Sequence, residues 1–313
     1  AGISSDKERL KRRRRLKEYT RTDLACEWGR EGDASSPGIR RWEEAWPGGT
    51  LQYLQILTPD ASSAMGRAQG EYITVQCGKI WELEGEEERQ LEELLATLLR
   101  RMVFRLGKKK TGEELSVLVV GLGNREITAD AIGPAVQKQL LVTRHLRSLE
   151  PEIFRAMACC TVSALAPGVL GQTGMEAGEV IAGAIRESRP DVVVAIDALA
   201  ARSCQRLAAT VQISDAGISP GAGIGNHRGA LDRDSLGVPV IALGVPTVVD
   251  SSTLVWDALE RAGIREVEDR LRDILENGRR FYVSPKEADL ITVRTAQVLA
   301  HAVNRALVGV PAL

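Results

Sequence analysis

The sequence predicts an α/β fold, a three-layer sandwich around a mostly parallel sheet. Three observations carry that prediction. Ser116–Val120 (SVLVV), Val192–Asp197 (VVVAID) and Val238–Leu243 (VPVIAL) are apolar runs without polar alternation, as in parallel strands covered on both faces. Segments with helical periodicity separate them, the alternation that builds a layered α/β domain. Two aspartates, Asp130 and Asp197, follow such runs. Ligands and chemistry collect at that carboxyl edge of an α/β sheet.

The elements follow in chain order. Lys7–Tyr19 (KERLKRRRRLKEY) carries eight Lys or Arg and offers little to bury, so it reads as a solvated charged tail. Residues 20–50, rich in Gly, Pro, Trp and charge, read as an irregular wrap. Thr50–Leu57 and Tyr72–Cys77 read as strands around a loop with Met65, Gly66 and Gly70. Glu86–Leu106 repeats apolar residues at Leu91, Leu94, Leu95, Leu98 and Leu99, a helical period. Ser116–Val120 is a strand and Asp130–Arg147 a helix. Ala158–Ser163 is a strand, Met175–Glu187 a helix, and Val192–Asp197 and Ala208–Ile213 are strands. Val238–Leu243 is a strand and Ser252–Ala262 a helix. Ile264–Asn277 and Ala288–Leu307 are C-terminal helices.

Composition excludes several classes. The 313 residues are 44% hydrophobic and 27% charged with net charge -1, which is ordinary for a globular chain. Near-neutral charge gives no reason to expect a nucleic-acid partner, although the basic tail could contact phosphates. No apolar run of about 18 residues suggests a membrane span, and the charged N-terminus lacks the core of a secretory signal. Five scattered cysteines without a CxxC pair fit a reduced cytoplasmic protein.

The motifs narrow the chemistry. GLGN at Gly121–Asn124 lacks the third glycine of a dinucleotide fingerprint, since Glu126 stands there. No GxSxG elbow is present. Of three histidines, His145 and His301 lie in helix-like stretches and His227 in a glycine-rich loop; a Cys–His enzyme would have to pair His227 with Cys159, Cys160 or Cys204. Asp130 and Asp197 could each cap a following turn or helix. They could also form a carboxylate pair that activates water, or join His227 around a zinc or nickel ion. Three glycine- and proline-rich loops, 163–174, 214–231 and 244–253, permit close approach of an extended ligand. Backbone N–H groups of Gly123 and Asn124, or of the loop opening at Ser163, are candidate oxyanion donors. Arg202 and Arg228 are candidates for reading an acidic substrate residue.

Several long segments also match a known family in order: GLGN…TADAIGP, VSALAPGVLGQTGMEAGEV, PDVVVAIDALAARS, ISDAGISPGAGIGN and GVPVIALGVPTVVD. Together with RTDLACE at Arg21–Glu27 and VSPKEAD at Val283–Asp289, they resemble the germination proteases of spore-forming bacteria over residues 20–310. The resemblance implies a fold similar to that of hydrogenase maturation proteases, with extra N-terminal strands and C-terminal helices. It implies an endopeptidase that degrades small acid-soluble spore proteins in the spore core, acts without a cofactor, forms a homotetramer and uses Asp130 and Asp197 as an atypical aspartic pair. It also implies a zymogen that removes its own pro-segment, residues 1–19, by a cut near Glu18, Tyr19 and Thr20. The Lys11–Arg15 basic run is not a family feature. The remaining chain, 20–313, is expected to be one peptidase domain, with an extension over 20–110, a core over 111–263 and terminal helices over 264–313.

Overall fold

The computed structural model describes residues 22–28, 37–108, 114–157, 160–219, 229–264, 267–278 and 281–308. Its strands are β1 (Ile39–Trp46), β2 (Gly49–Ile56), β3 (Gly70–Gln76), β4 (Ser116–Gly121), β5 (Thr161–Leu165), β6 (Val192–Ala201), β7 (Thr210–Ser214), β8 (Val240–Asp250) and β9 (Tyr282–Val283). The helices are α1 (Pro59–Met65), α2 (Gly85–Gly107), α3 (Ile132–Gln137), α4 (Leu146–Leu149), α5 (Pro151–Met157), α6 (Leu170–Thr173), α7 (Ala177–Ser188), α8 (Arg233–Leu236), α9 (Ser251–Arg261), α10 (Asp269–Asn277) and α11 (Ala288–Leu307).

One sheet runs in the order β1-β2-β3-β7-β8-β6-β4-β5, with β9 on the end of β8. The expected parallel core is β5-β4-β6-β8. β7 joins β8 antiparallel, and β3, β2 and β1 extend that side as antiparallel strands. The sheet as a whole is therefore mixed, and the extra N-terminal strands make it so.

Strand alternation divides the core between two faces. Val117 and Val119 of β4, Val194 and Ile196 of β6, and Ile241, Leu243 and Val245 of β8 face α2, α3 and α11. Leu118, Val120, Val193, Ala195 and Val240 face Ala177 and Ile181 of α7. This is the three-layer arrangement. Burying each such aliphatic side chain contributes about 1.5–3 kcal/mol, so truncating fully buried Leu95 or Leu299 should cost about 2–5 kcal/mol.

Several elements differ from expectation. β1 lies inside the supposed irregular wrap; its Trp42 stacks on Tyr53 of β2 at 4.6 Å, and its charged residues suit a largely exposed strand. α1 occupies the supposed loop, opened by Pro59 and by Thr58 Oγ1 accepting the Ala61 N–H. The helix expected over Asp130–Arg147 is only α3. The chain then turns because Asn304 of α11 accepts the Leu141 N–H and donates to the Gln139 carbonyl, and Thr143 bonds Cys160, just ahead of β5, and Val162 within it. β6 continues four residues past Asp197, and β8 runs to Asp250 through the supposed Gly244–Thr253 loop. The helix expected from Ile264 begins at Asp269. Among the described residues no helix is long and apolar enough to cross a membrane.

Candidate active site

β4 ends at Gly121, level with Ile196 of β6. Asp197 is therefore the first β6 residue beyond the end of β4, although on its other side it still pairs with Gly244 of β8. It is buried, at 4% exposure, on the same face as Val193 and Ala195. Its Oδ1 accepts the Ala198 N–H at 2.9 Å. Within a strand it caps no turn.

After Gly121 the chain crosses β6. Leu122 donates to the Ile196 carbonyl at 2.8 Å, and α3 packs so closely that a Cβ on Gly133 would collide with the Leu122 and Ile196 carbonyls. Asp130 closes a 3-10 turn, Thr128–Asp130. Its Oδ2 accepts the Asn124 N–H at 2.7 Å. Ala131, not Asp130, stands at the α3 cap position and makes no side-chain cap bond. Gly123 has φ +113°, and a Cβ there would collide with the Asp130 carbonyl; only glycine meets both demands. Gly123, Asn124 and Asp130 thus form one unit. The loop after β5 joins it, as Gln172 of α6 donates to Asn124 Oδ1 at 2.7 Å.

A cavity of about 200 Å³ opens beside Asp197, and Asp130 does not line it. Asp197, Gly244 and Gln212 occupy one row across β6, β8 and β7, and all three line the cavity with Ser214 and Ala242. The opposite wall is the strap 22–28. Asp23 donates its N–H to the Ala200 carbonyl at 2.9 Å and accepts the Ala200 N–H on Oδ2 at 2.8 Å. Gln212 accepts the Ala25 N–H and donates to the Asp23 carbonyl. Glu27 accepts the Arg202 and Ser203 N–H groups at 2.7 and 3.1 Å and pairs with Arg206.

Arg67 completes the wall. Its guanidinium lies 4.3 Å from the Trp28 ring centroid and donates to the Thr22 carbonyl at 3.2 Å. Burial lowers its pKa, with the charge of Asp23 opposing. Tyr72 meets Trp28 edge-on at 5.0 Å, and burial pushes its phenol up to about 12. At neutral pH that hydroxyl remains protonated and donates to the Ala68 carbonyl.

The other candidates sit as follows. Ser163 lies within β5 level with Leu118, short of the strand end, with its hydroxyl buried and without a hydrogen-bond partner. Arg202 pairs with Glu260 and does not line the cavity. His301 faces Glu92 at 2.7 Å, remote from the cavity lining. His227, Arg228, Cys159 and Glu18, Tyr19 and Thr20 lie outside the described residues. Among the described residues no group of three His, Cys, Asp or Glu could hold a metal. Asp23, Arg67 and Gln212 gave no local signal; only the fold carries them to the cavity.

Comparison with known proteins shows the family. The germination protease from Caldanaerobacter subterraneus subsp. tengcongensis is 39% identical over 92% of this chain and 94% of its own. That from Clostridium perfringens is 39% identical over 81% of this chain and 83% of its own. Among solved structures, a [NiFe] hydrogenase maturation protease, HycI of Thermococcus kodakarensis, aligns at 18% identity over 66% of this chain and 98% of its own. Its TM-score is 0.34, and at that score it carries no weight for the site. The model of the germination protease family matches residues 27–262, and the chain belongs to that family of peptidases.

Proposed function

We propose that this chain is an endopeptidase that hydrolyses small acid-soluble spore proteins through a water activated by the Asp130 and Asp197 carboxylates. The carrying observation is the convergence at one sheet edge: Asp197 buried on the cavity floor, and the Asp130 turn docked on the residues that precede it. Family membership supports the peptidase chemistry.

The scheme requires the two carboxylates to come close enough to share one proton, since like charges at short range resist ionising together. The ionised member takes a proton from water as that water attacks the peptide carbonyl. The protonated member polarises the carbonyl and then protonates the leaving amine. The titration belongs to the pair. The cavity behind the strap suits one substrate side chain, while the Asn124 N–H is already engaged by Asp130 Oδ2.

The same reading takes residues 1–19 as a self-removed pro-segment, 20–313 as one peptidase domain, the active form as a homotetramer and the compartment as the spore core. The strap supports the first point, since the expected cut falls immediately ahead of the segment bound to β6.

The test is digestion of a purified small acid-soluble spore protein by a chain beginning at Arg21, with fragments mapped by mass and EDTA as a parallel arm. Discrete internal cuts that survive EDTA are expected. No cleavage refutes the endopeptidase reading, and cleavage abolished by EDTA and restored by zinc or nickel moves the chemistry to a metal centre.

A further inference from the structure

We propose that Thr247 is a positioning residue whose hydroxyl ties the Asp130 turn to the strand pair carrying Asp197, and so fixes the separation of the two carboxylates. This rests on the two-carboxylate reading and adds the element that holds the pair in register.

The tie starts from an irregularity in β8. The parallel register with β6 runs from Asp197 opposite Gly244 to Leu199 opposite Pro246, then resumes at Ala200 opposite Val248. Thr247 is the extra residue. A bulge of this kind leaves one residue outside the ladder and re-aims its side chain. Here Thr247, 4% exposed, donates its Oγ1 hydrogen to the Ala129 carbonyl at 2.6 Å. Ala129 is the residue before Asp130.

The irregularity is supported locally. The Pro246 carbonyl accepts the Ala208 N–H at 2.7 Å, and Ala208 holds φ +46° to reach it. That left-handed conformation is costly for a residue with a Cβ. A second tether acts on the same turn: Thr292 of α11 donates to the Thr128 carbonyl at 3.0 Å. The carbonyls of both residues before Asp130 are thus held by threonine hydroxyls, one from the strand beside Asp197 and one from the opposite helical layer.

The test compares Thr247→Val, of nearly the same shape but without the hydroxyl, with Thr247→Ser, which keeps it. Activity is read as kcat and KM on the spore-protein substrate, with folding checked by circular dichroism. Misplacing a catalytic group by about 1 Å can cost about 10²-fold. Thr247→Val is therefore expected to lower kcat about 10- to 100-fold with KM within about twofold, and Thr247→Ser to return kcat to within about threefold of wild type. A Thr247→Val enzyme with wild-type kcat overturns the proposal, as does a Thr247→Ser enzyme as slow as the valine variant. If Thr247→Val does not fold, Thr292→Val takes its place, and an unchanged kcat there also overturns it. Inactive Asp130→Asn and Asp197→Asn beside a fully active Thr247→Val would leave the two-carboxylate reading standing and remove only this inference. Wild-type activity in both aspartate variants would remove both.

Discussion

Replacing Glu27 with Ala should release the strap that walls the cavity. The Glu27 side chain is 6% exposed, and its oxygens accept the N–H groups of Arg202 and Ser203, the Thr22 hydroxyl and the Arg206 guanidinium. Alanine leaves two backbone donors without an acceptor, at about 1–3 kcal/mol each. The two together come to about 2–6 kcal/mol, as large as or larger than what fully buried Leu24 contributes by its burial, about 1.5–3 kcal/mol. Local opening of 22–28, which rehydrates those donors, then competes with keeping the strap closed. Each 1.4 kcal/mol is tenfold in an opening equilibrium, so amide exchange at Leu24 and Ala25 should accelerate about 10²-fold, against a fall in Tm of only a few degrees. Hydrogen exchange followed by mass spectrometry of the N-terminal peptide reads this directly. Unchanged protection at Leu24 and Ala25, with Tm within about 1 °C of wild type, would refute the claim that Glu27 holds the strap.

Two further predictions follow from the geometry. Gly123→Ala forces a side chain into φ +113° and against the Asp130 carbonyl, so it should lower kcat by about 10²-fold or more and stability by about 1–3 kcal/mol; activity assays and chemical denaturation would contradict it by finding wild-type values. Asp215 accepts the Glu71 N–H at 2.6 Å and pairs with Arg105, yet burial, the largest influence, raises its pKa, with the Glu71 N–H and Arg105 opposing. The folded state therefore holds this proton more tightly than the unfolded one. The group's contribution is fully present below the ordinary carboxylate value and lost as pH rises through the raised one. Asp215→Asn cannot titrate, so its Tm relative to wild type should become less favourable as pH falls from 7 to 4, and a pH-independent difference would contradict this.

What the sequence revealed follows burial. β4 and β6 were legible because both of their faces are covered, so Val117–Val120 and Val192–Ile196 are uniformly apolar. Asp197 looked terminal because Ala198–Ala201 resembles a turn or helical run, whereas those residues continue β6 in pairing with β8. The second half of β8, beyond Leu243, was hidden by Gly244 and Pro246, residues that usually mark loops. Glycine there admits the Leu199 side chain, which a Cβ would meet at 2.6 Å, and proline sits at the bulge. The helix after Asp130 was overestimated because its propensity is local, whereas Asn304 and Thr143, distant in sequence from their partners, turn the chain. The placement of both aspartates near one sheet edge could be read from the strands that precede them. Arg67, Asp23, Gln212 and Thr247 could not, since each acquires its place only through tertiary contacts.

The central claim is that both carboxylates are required, and the most direct test is the initial rate of spore-protein cleavage by Asp130→Asn and Asp197→Asn, each shown to be folded, with and without EDTA. Positioned acid–base groups contribute about 10²–10⁴-fold, so each variant should lose at least about 10²-fold while wild type is indifferent to EDTA. Either variant cleaving at the wild-type rate would contradict the account.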